Sequence, residues 1–194
     1  MPYIYSLAWR VTNEDYTIQR PLVMDWRTDP DTRDIGDEFM FGPAILVSPV
    51  LQANATRRTV YLPDSPAWYD FWTGASQKGG REIDSDAPVD RIPLYVRAGS
   101  IIPLGPEIQY ASEKPAGPIE LRIYKGADGR FDLYQDAEDD HGYEHGKGEY
   151  PKMAARIQFN IVWVSAGHGA SAQSVVNPDN AVEYAGNAIS VKDQ

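Results

Sequence analysis

The 194-residue chain contains no cysteine, so it can form neither a disulfide framework nor a thiolate metal site. This absence is compatible with either redox compartment. No apolar run approaches the roughly 20 residues that a membrane-spanning helix needs. The first residues also lack a basic flank followed by an apolar segment, which is the pattern of a signal peptide.

Positive charge is scarce as well. The chain has 18 Lys and Arg against 28 Asp and Glu, a formal net charge of −10, and its basic residues form no run. This balance disfavours binding to nucleic acid or to an anionic membrane surface. We find no phosphate loop, dinucleotide fingerprint or Ser-His-Asp nucleophile elbow, and we expect no cofactor.

The residues that are abundant indicate short strands and turns. The chain has 15 prolines, 16 glycines, 12 tyrosines and 5 tryptophans. At its centre, Arg91 to Gly105 holds two apolar runs, Ile92 to Val96 and Ile101 to Leu104. β-Branched and aromatic residues with interspersed proline and glycine favour two buried strands joined by a tight bend. Because proline cannot donate to a strand ladder, we expect Pro93 and Pro103 at a strand start or a sheet edge.

The first 26 residues follow a different pattern. Met1 to Glu14 is predicted to be a helix whose apolar face carries Ile4, Leu7, Ala8 and Val11. The near-continuous apolar run Pro21 to Trp26 is typical of a strand covered on both faces. A helix, a short link and such a strand resemble the end of an α/β repeat. We therefore expect this apolar surface to need a partner that the later residues do not supply.

The remainder is predicted to be mainly β. Strands are expected within 39–50, 60–62, 68–72, 119–123, 131–134, 156–164, 182–184 and 189–191. Gln77 to Asp90 is predicted to be a polar connection, and 119–134 and 182–191 are predicted to be hairpins. Glu113 to Pro118 has linker composition, so a domain boundary is expected near Glu107 to Pro118.

Several stretches together resemble family 31 glycoside hydrolases, especially bacterial α-xylosidases and α-glucosidases. The stretches are Pro2-Tyr3-Ile4-Tyr5-Ser6-Leu7-Ala8, Arg20-Pro21-Leu22-Val23-Met24-Asp25, Asp37-Glu38-Phe39-Met40-Phe41-Gly42-Pro43-Ala44, Trp68-Tyr69-Asp70-Phe71-Trp72-Thr73-Gly74, Arg91 to Pro103, and Phe131-Asp132-Leu133-Tyr134-Gln135-Asp136. The resemblance implies two consecutive antiparallel β-sandwich domains, 38–112 and 113–194. They would be preceded, in 1–37, by the last helix and strand of a truncated (β/α)8 catalytic barrel.

The resemblance also implies a function. The chain would be the structural C-terminal part of a retaining α-glycosidase of the α-xylosidase or α-glucosidase type. It would lack the catalytic carboxylates, which lie on earlier barrel strands in that family. Its partners would be the missing barrel and the glycoside or oligosaccharide substrate of the whole enzyme. The second sandwich departs from the family by lacking a strand pair near 150–153. A free-standing carbohydrate-binding β-sandwich module is the alternative.

Two residues are candidates for substrate binding or chemistry. Asp25 interrupts an apolar run at the carboxyl end of the predicted strand, where barrel active sites lie. The alternative for Asp25 is a loop hydrogen bond or an ordinary ion pair with Arg20. Trp72 could stack on a sugar ring, or it could belong to the core. On a strand, Trp68, Asp70 and Trp72 would share one face, and Tyr69 and Phe71 the other.

The acidic segment Asp136 to Asp140 offers oxygen ligands that could hold Ca²⁺, but its spacing does not match an EF-hand. A solvated acidic loop is the simpler interpretation. His141 and His145 have a metal-like spacing only on a helix, which Gly142, Gly146 and Gly148 disfavour. We therefore assign no metal site.

Overall fold

The computed structural model describes residues 2–110, 113, 117–134, 157–164 and 182–184, with the side chains of 157–163 and 182–184 not described. Its helices are α1 (Pro2–Glu14) and α2 (Leu22–Asp25), with a 3₁₀ turn at Pro30–Thr32. Its strands are β1 (Gln19–Pro21), β2 (Phe39–Phe41), β3 (Ile45–Val47), β4 (Arg57–Leu62), β5 (Trp68–Asp70), β6 (Ser76–Gln77), β7 (Arg81–Asp86), β8 (Leu94–Arg97), β9 (Ile101–Leu104), β10 (Ile119–Tyr124), β11 (Ile157–Val164) and β12 (Val182–Tyr184). No helix among these residues is long and apolar enough to cross a membrane.

The strands form three sheets, which confirms the mainly β prediction. A six-stranded antiparallel sheet has the order β1-β2-β3-β8-β5-β6, and β4 pairs with β7 in a two-stranded sheet. A four-stranded sheet has the order β12-β11-β10-β9. Within it, β10 and β11 are parallel, with Ile119 opposite Phe159, so this sheet is not wholly antiparallel as predicted.

The two strands of the central stretch belong to different sheets. β8 lies inside the six-stranded sheet and β9 lies at the edge of the four-stranded sheet. Gly99, with a φ of 82°, turns the chain between them, and its N–H donates to the carbonyl of Tyr124 at 2.7 Å. Pro93 precedes β8 and Pro103 lies in the edge strand β9, which confirms both proline predictions.

The strand β9 also bears on the domain partition. It lies before the predicted boundary at 107–118, yet it pairs with β10 beyond that boundary. Residues 107–118 therefore connect two strands of one sheet. The partition into 1–37, 38–112 and 113–194 stays a prediction.

The six-stranded sheet is buried on both faces. Trp68 and Tyr69 are neighbours in β5 and are 0% and 2% exposed. Trp68 packs in one core cluster with Leu46 and Tyr95, whereas Tyr69 packs in the other with residues that include Tyr3, Leu7, Val96 and Tyr124. Because successive strand residues point to opposite faces, this one strand contributes to both cores.

Helix α1 confirms the predicted element but not the predicted face. Its buried residues are Tyr3, Ser6 and Leu7, whereas Ile4, Ala8 and Val11 are exposed. The reason is a close approach at Gly42, where an added Cβ would meet the Tyr3 hydroxyl and lie 2.7 Å from Leu7 Cδ1. A residue without a side chain lets this side of the helix settle on the sheet.

The strand predicted for Pro21 to Trp26 is wrong. The strand β1 ends at Pro21, and Leu22 to Asp25 form the helical turn α2. β1 pairs antiparallel with β2, so no parallel α/β arrangement forms there in the described residues. Leu22 and Trp26 are nevertheless buried, in the cluster that contains Trp68. The apolar run reports burial correctly, but burial alone does not distinguish a short helix from a strand.

The polar connection predicted for Gln77 to Asp90 is also wrong. It contains β7, which pairs with β4 over six residues, from Arg57 opposite Asp86 to Leu62 opposite Arg81. Glu82, Asp84 and Asp86 are exposed, whereas Ser85 is buried and Ile83 half-buried. This is the alternation of a strand with one solvated face, and it was visible in the sequence.

The hairpin predicted for 119–134 does not form. β10 pairs with β9 and β11, and 131–134 is not a strand. Instead this segment lies on α1: the ring of Phe131 stacks on Tyr3 at a centroid distance of 5.5 Å, and the ring of Tyr134 stacks on Trp9 at 5.1 Å. Later residues therefore cover part of the first helix, contrary to expectation. The second strand of the hairpin predicted for 182–191 lies outside the described residues.

Candidate functional site

Asp25 and Arg20 form an ion pair. Asp25 is the last residue of α2, Arg20 is the middle residue of β1, and the Arg20 Nη2 to Asp25 Oδ2 distance is 2.6 Å. Their side chains are 16% and 23% exposed, for arginine and aspartate respectively. The pair spans the point where the chain changes from strand to helix. This geometry fits the ion-pair interpretation of Asp25 better than the catalytic one, since its carboxylate is engaged by a cation.

Arg20 also takes part in an aromatic contact. The guanidinium groups of Arg10 and Arg20 lie 4.1 Å and 4.7 Å from the centroid of the Tyr16 ring. Burial raises the pKa of the Tyr16 hydroxyl above its usual value, so the ring stays neutral. These contacts join the end of α1 to β1 and α2. We call the four residues involved the Arg20 cluster: Arg10, Tyr16, Arg20 and Asp25. Sequence reasoning found only Arg20 and Asp25, because cation–π partners have no fixed spacing.

A second cluster of charged residues, which the sequence analysis did not predict, lies around Glu38. This carboxylate is 5% exposed and accepts from Arg58 Nη2 at 3.1 Å and from the Tyr61 N–H at 3.0 Å. Burial outweighs these two favourable contacts and raises the pKa of Glu38 to about 7. Arg58 also donates to a carboxylate oxygen of Asp37 at 3.0 Å and to the Pro49 carbonyl at 2.5 Å. These contacts fasten the segment before β2 onto β4.

Trp72 lies beyond the strand on which it was predicted. β5 ends at Asp70, whose Oδ1 accepts from the N–H groups of Trp72 and Thr73 at 2.9 Å and 2.7 Å and turns the chain. Strand alternation therefore does not extend to Phe71 and Trp72, and that prediction is wrong. Trp72 is 42% exposed. Its indole N–H donates to the carbonyl of Ile92 at 2.8 Å, so the ring orientation is fixed.

The candidate metal ligands belong to a part of the chain that the structure does not describe. The acidic segment 136–140, His141, His145 and the strand pair expected near 150–153 all lie outside the described residues. Within the part of the chain that the structure describes, no three His, Asp or Glu side chains converge in a way that could hold a metal ion.

Comparison with known proteins identifies the family. The family model described as "Glycosyl hydrolase family 31 C-terminal domain" matches residues 15–102. An α-xylosidase of Saccharolobus solfataricus is 40% identical over 99% of this chain and 29% of its own length. Alpha-glucosidase 2 of Bacillus thermoamyloliquefaciens is 30% identical over 82% of this chain and 20% of its own length.

A solved structure gives the same result. The family 31 α-xylosidase of Xanthomonas citri superimposes with a TM-score of 0.88 at 37% identity, covering 100% of this chain and 23% of that enzyme. The chain thus spans under a third of the length of these relatives. The matches do not favour the alternative of a free-standing carbohydrate-binding module. The chain belongs to glycosyl hydrolase family 31, in which it corresponds to the C-terminal domain of the α-xylosidases and α-glucosidases.

Proposed function

We propose that this chain is the ancillary C-terminal part of a retaining α-glycosidase of the α-xylosidase or α-glucosidase type. Its task would be to support a catalytic barrel that carries the reacting carboxylates and binds the glycoside or oligosaccharide substrate. Residues 1–37 would belong to the junction with that barrel. Two sandwich-like units, 38–112 and 113–194, would follow, the second lacking a strand pair near 150–153.

One observation carries this proposal: the sheet core and the segment 131–134 cover two sides of α1, but its third side is exposed in the part of the chain that the structure describes. Tyr3 and Leu7 are buried in the sheet core, whereas Ile4 is 45% and Val11 is 41% exposed. With Ala8, which is also exposed, they have the spacing that forms one continuous stripe on a helix. We call Ile4, Ala8 and Val11 the α1 stripe.

A catalytic barrel is the partner that we propose for the α1 stripe. Burying an apolar side chain of this size stabilises a protein by about 1.5 to 3 kcal/mol, so an uncovered stripe favours a packing partner. The α-xylosidase relative contains far more protein than this chain, which covers only 29% of its length. A barrel helix packed on the stripe would therefore connect the two parts of the enzyme.

Asp25 has a supporting role in this proposal. Retaining glycosidases hold two carboxyl groups roughly 5 Å apart across the scissile bond. Asp25 is instead bound to Arg20 and holds α2 against β1, next to the junction. We therefore assign no catalytic residue to this chain.

The experiment is a hydrolysis assay of the chain alone with an aryl α-xyloside and an aryl α-glucoside, beside its Asp25→Asn variant. The proposal expects no release of the aryl group above the buffer rate by either protein. Turnover by the unsubstituted chain that Asp25→Asn abolishes would show that the reacting group is here and would overturn the ancillary role.

A further inference from the structure

Two buried side-chain oxygens are left unexplained by the proposed function. Glu38 Oε2 and Ser48 Oγ are both shielded from solvent, and neither has a hydrogen-bond partner among the residues that the structure describes. Glu38 is 5% exposed and Ser48 is 0% exposed. Leaving a buried polar atom unpaired costs free energy, so such atoms in folded proteins are nearly always bonded to protein or to ordered water. These two oxygens therefore require a partner.

The strand register places Glu38 and Ser48 opposite each other. β2 and β3 pair with Phe39 opposite Val47, so the next position along the same register has Glu38 opposite Ser48. The Ser48 N–H donates away from Glu38, to the carbonyl of Pro93 at 3.1 Å. Positions 38 and 48 therefore form a pair without backbone hydrogen bonds, which is the kind of pair whose side chains lie closest together.

Contacts with β4 support this register and enclose the place. Arg58 Nη1 donates to the carbonyls of both Asp37 and Pro49, at 3.2 Å and 2.5 Å, so the two chain segments still run side by side one position further on. Arg58 Nη2 and the Tyr61 N–H both donate to Glu38 Oε1, at 3.1 Å and 3.0 Å. The second oxygen of the Glu38 carboxyl is the one that remains without a partner.

The partner of Glu38 Oε2 has to be able both to donate and to accept. Burial raises the pKa of Glu38 to about 7, against the opposing effect of Arg58 and with Asp37 and Glu82 as the nearby like charges. The carboxyl therefore changes its charge near neutral pH: it needs a donor when it is ionised and an acceptor when it is protonated. Water serves both states. A metal cation is disfavoured, because the Arg58 guanidinium already lies against the same carboxyl group.

We propose that one buried water molecule is bound between Glu38 Oε2 and Ser48 Oγ, where it bridges β2 and β3 at the end that faces β4. The two oxygens do not bond to each other, and a bridging water gives each of them a partner. The water lets Glu38 gain or lose its proton while its bonds to Arg58 and Tyr61 persist. This inference rests neither on the α1 stripe nor on the proposed function.

The direct test is a crystal structure of the natural chain, grown at about pH 8, where Glu38 is ionised. The proposal expects an ordered water within hydrogen-bond distance of both Glu38 Oε2 and Ser48 Oγ. A direct hydrogen bond between these two oxygens would overturn it, and so would a dry contact or a water that reaches only one of them.

A titration in solution tests the same site independently. The pKa of Glu38 is followed by the ¹³C chemical shift of its carboxyl group in the natural chain and in Ser48→Ala. Without Ser48 Oγ the water is held less well and the ionised carboxylate loses a donor. The acid dissociation constant of Glu38 should therefore fall by about twofold or more. Ser65→Ala is the matched control, because its buried hydroxyl donates to the Ala67 carbonyl instead.

Ser65→Ala should leave the titration of Glu38 unchanged. An unchanged acid dissociation constant in a folded Ser48→Ala variant, or an equal change in both variants, would overturn the proposal. If Ser48→Ala fails to fold, the crystal structure of the natural chain decides by itself.

Discussion

The backbone N–H of Tyr134 donates to Ser6 Oγ at 3.0 Å, across 128 positions of sequence. Ser6 in turn donates to the Pro2 carbonyl at 2.9 Å, one turn back in α1. Ser6 is 1% exposed. Through these two hydrogen bonds its hydroxyl links the first helix to the segment after β10. Together with the stacked Tyr134 and Trp9 rings, it fixes 131–134 on the helix instead of in a hairpin.

Ser6→Ala should therefore destabilise the chain by about 1 to 2 kcal/mol, because a largely buried N–H loses its acceptor. The amide of Tyr134 should exchange with solvent about tenfold faster, which hydrogen exchange detected by NMR can measure. Thr12→Ala is the matched control: its hydroxyl also bonds one turn back, to Ala8, but is exposed. Unchanged exchange at Tyr134 in Ser6→Ala would show that the hydrogen bond does not hold this segment.

Gly42→Ala should strongly destabilise the folded chain although it adds only one methyl group. Gly42 has a φ of 66°, and the added Cβ would collide with Tyr3 and Leu7 of α1. Left-handed strain and overpacking together should cost about 2 to 4 kcal/mol. Urea unfolding of Gly42→Ala and Gly36→Ala tests this, since a Cβ at Gly36 meets nothing within 4 Å. Equal stability of the two variants would contradict the close packing of α1.

The buried Glu38 should make stability depend on pH. Its pKa is raised to about 7 in the folded chain from an ordinary 4.5, so between these values the folded state holds a proton that the unfolded state has lost. The contribution of the protonated group is complete below pH 4.5 and is lost as pH rises through about 7. The decrease can reach about 3 kcal/mol.

Glu38→Gln removes that titration. The free energy of unfolding of the natural chain, relative to Glu38→Gln, should fall between pH 4 and pH 8, as measured by urea unfolding at several pH values. Glu107→Gln, at an exposed position, corrects for the loss of one carboxyl group. A difference between the natural chain and Glu38→Gln that is constant across this range would contradict the raised pKa.

The sequence predicts elements better than their partners. β8 and β9 were recognised because β-branched residues, prolines and Gly99 all favour two strands and a bend. The sequence does not show that these two strands belong to different sheets, because β9 pairs with β10, which lies beyond a linker-like segment. Similarly, α1 is apolar or aromatic on most sides. Its buried side is selected by distant segments, because Gly42 lies close to Tyr3 and Leu7 and the Tyr134 N–H donates to Ser6.

The site residues show the same division. Asp25 and Trp72 were noticed because each is unusual in its local run, yet their settings depend on other segments. Asp25 forms an ion pair with Arg20. Trp72 donates to the Ile92 carbonyl, and the Arg91 guanidinium lies over its ring. Glu38 went unnoticed because nothing in the sequence indicates that a carboxyl beside Phe39 is buried against Arg58.

The most direct test of the ancillary role exchanges domains. This chain would replace the aligned segment of the Xanthomonas citri α-xylosidase, which it matches at 37% identity. The chimera would be compared with its Val11→Asp and Val89→Asp variants for kcat/KM on an aryl α-xyloside and for melting temperature. Val11 belongs to the α1 stripe, whereas Val89 is fully exposed outside α1.

A charge at Val11 should prevent tight packing of the barrel on α1, since burying it unpaired is costly. We predict that the chimera hydrolyses the xyloside, that Val89→Asp leaves kcat/KM unchanged, and that Val11→Asp lowers it by about tenfold or more together with the melting temperature. An inactive unsubstituted chimera, or equal activity of the Val11→Asp and Val89→Asp chimeras, would contradict the claim that this chain supports a catalytic barrel through its first helix.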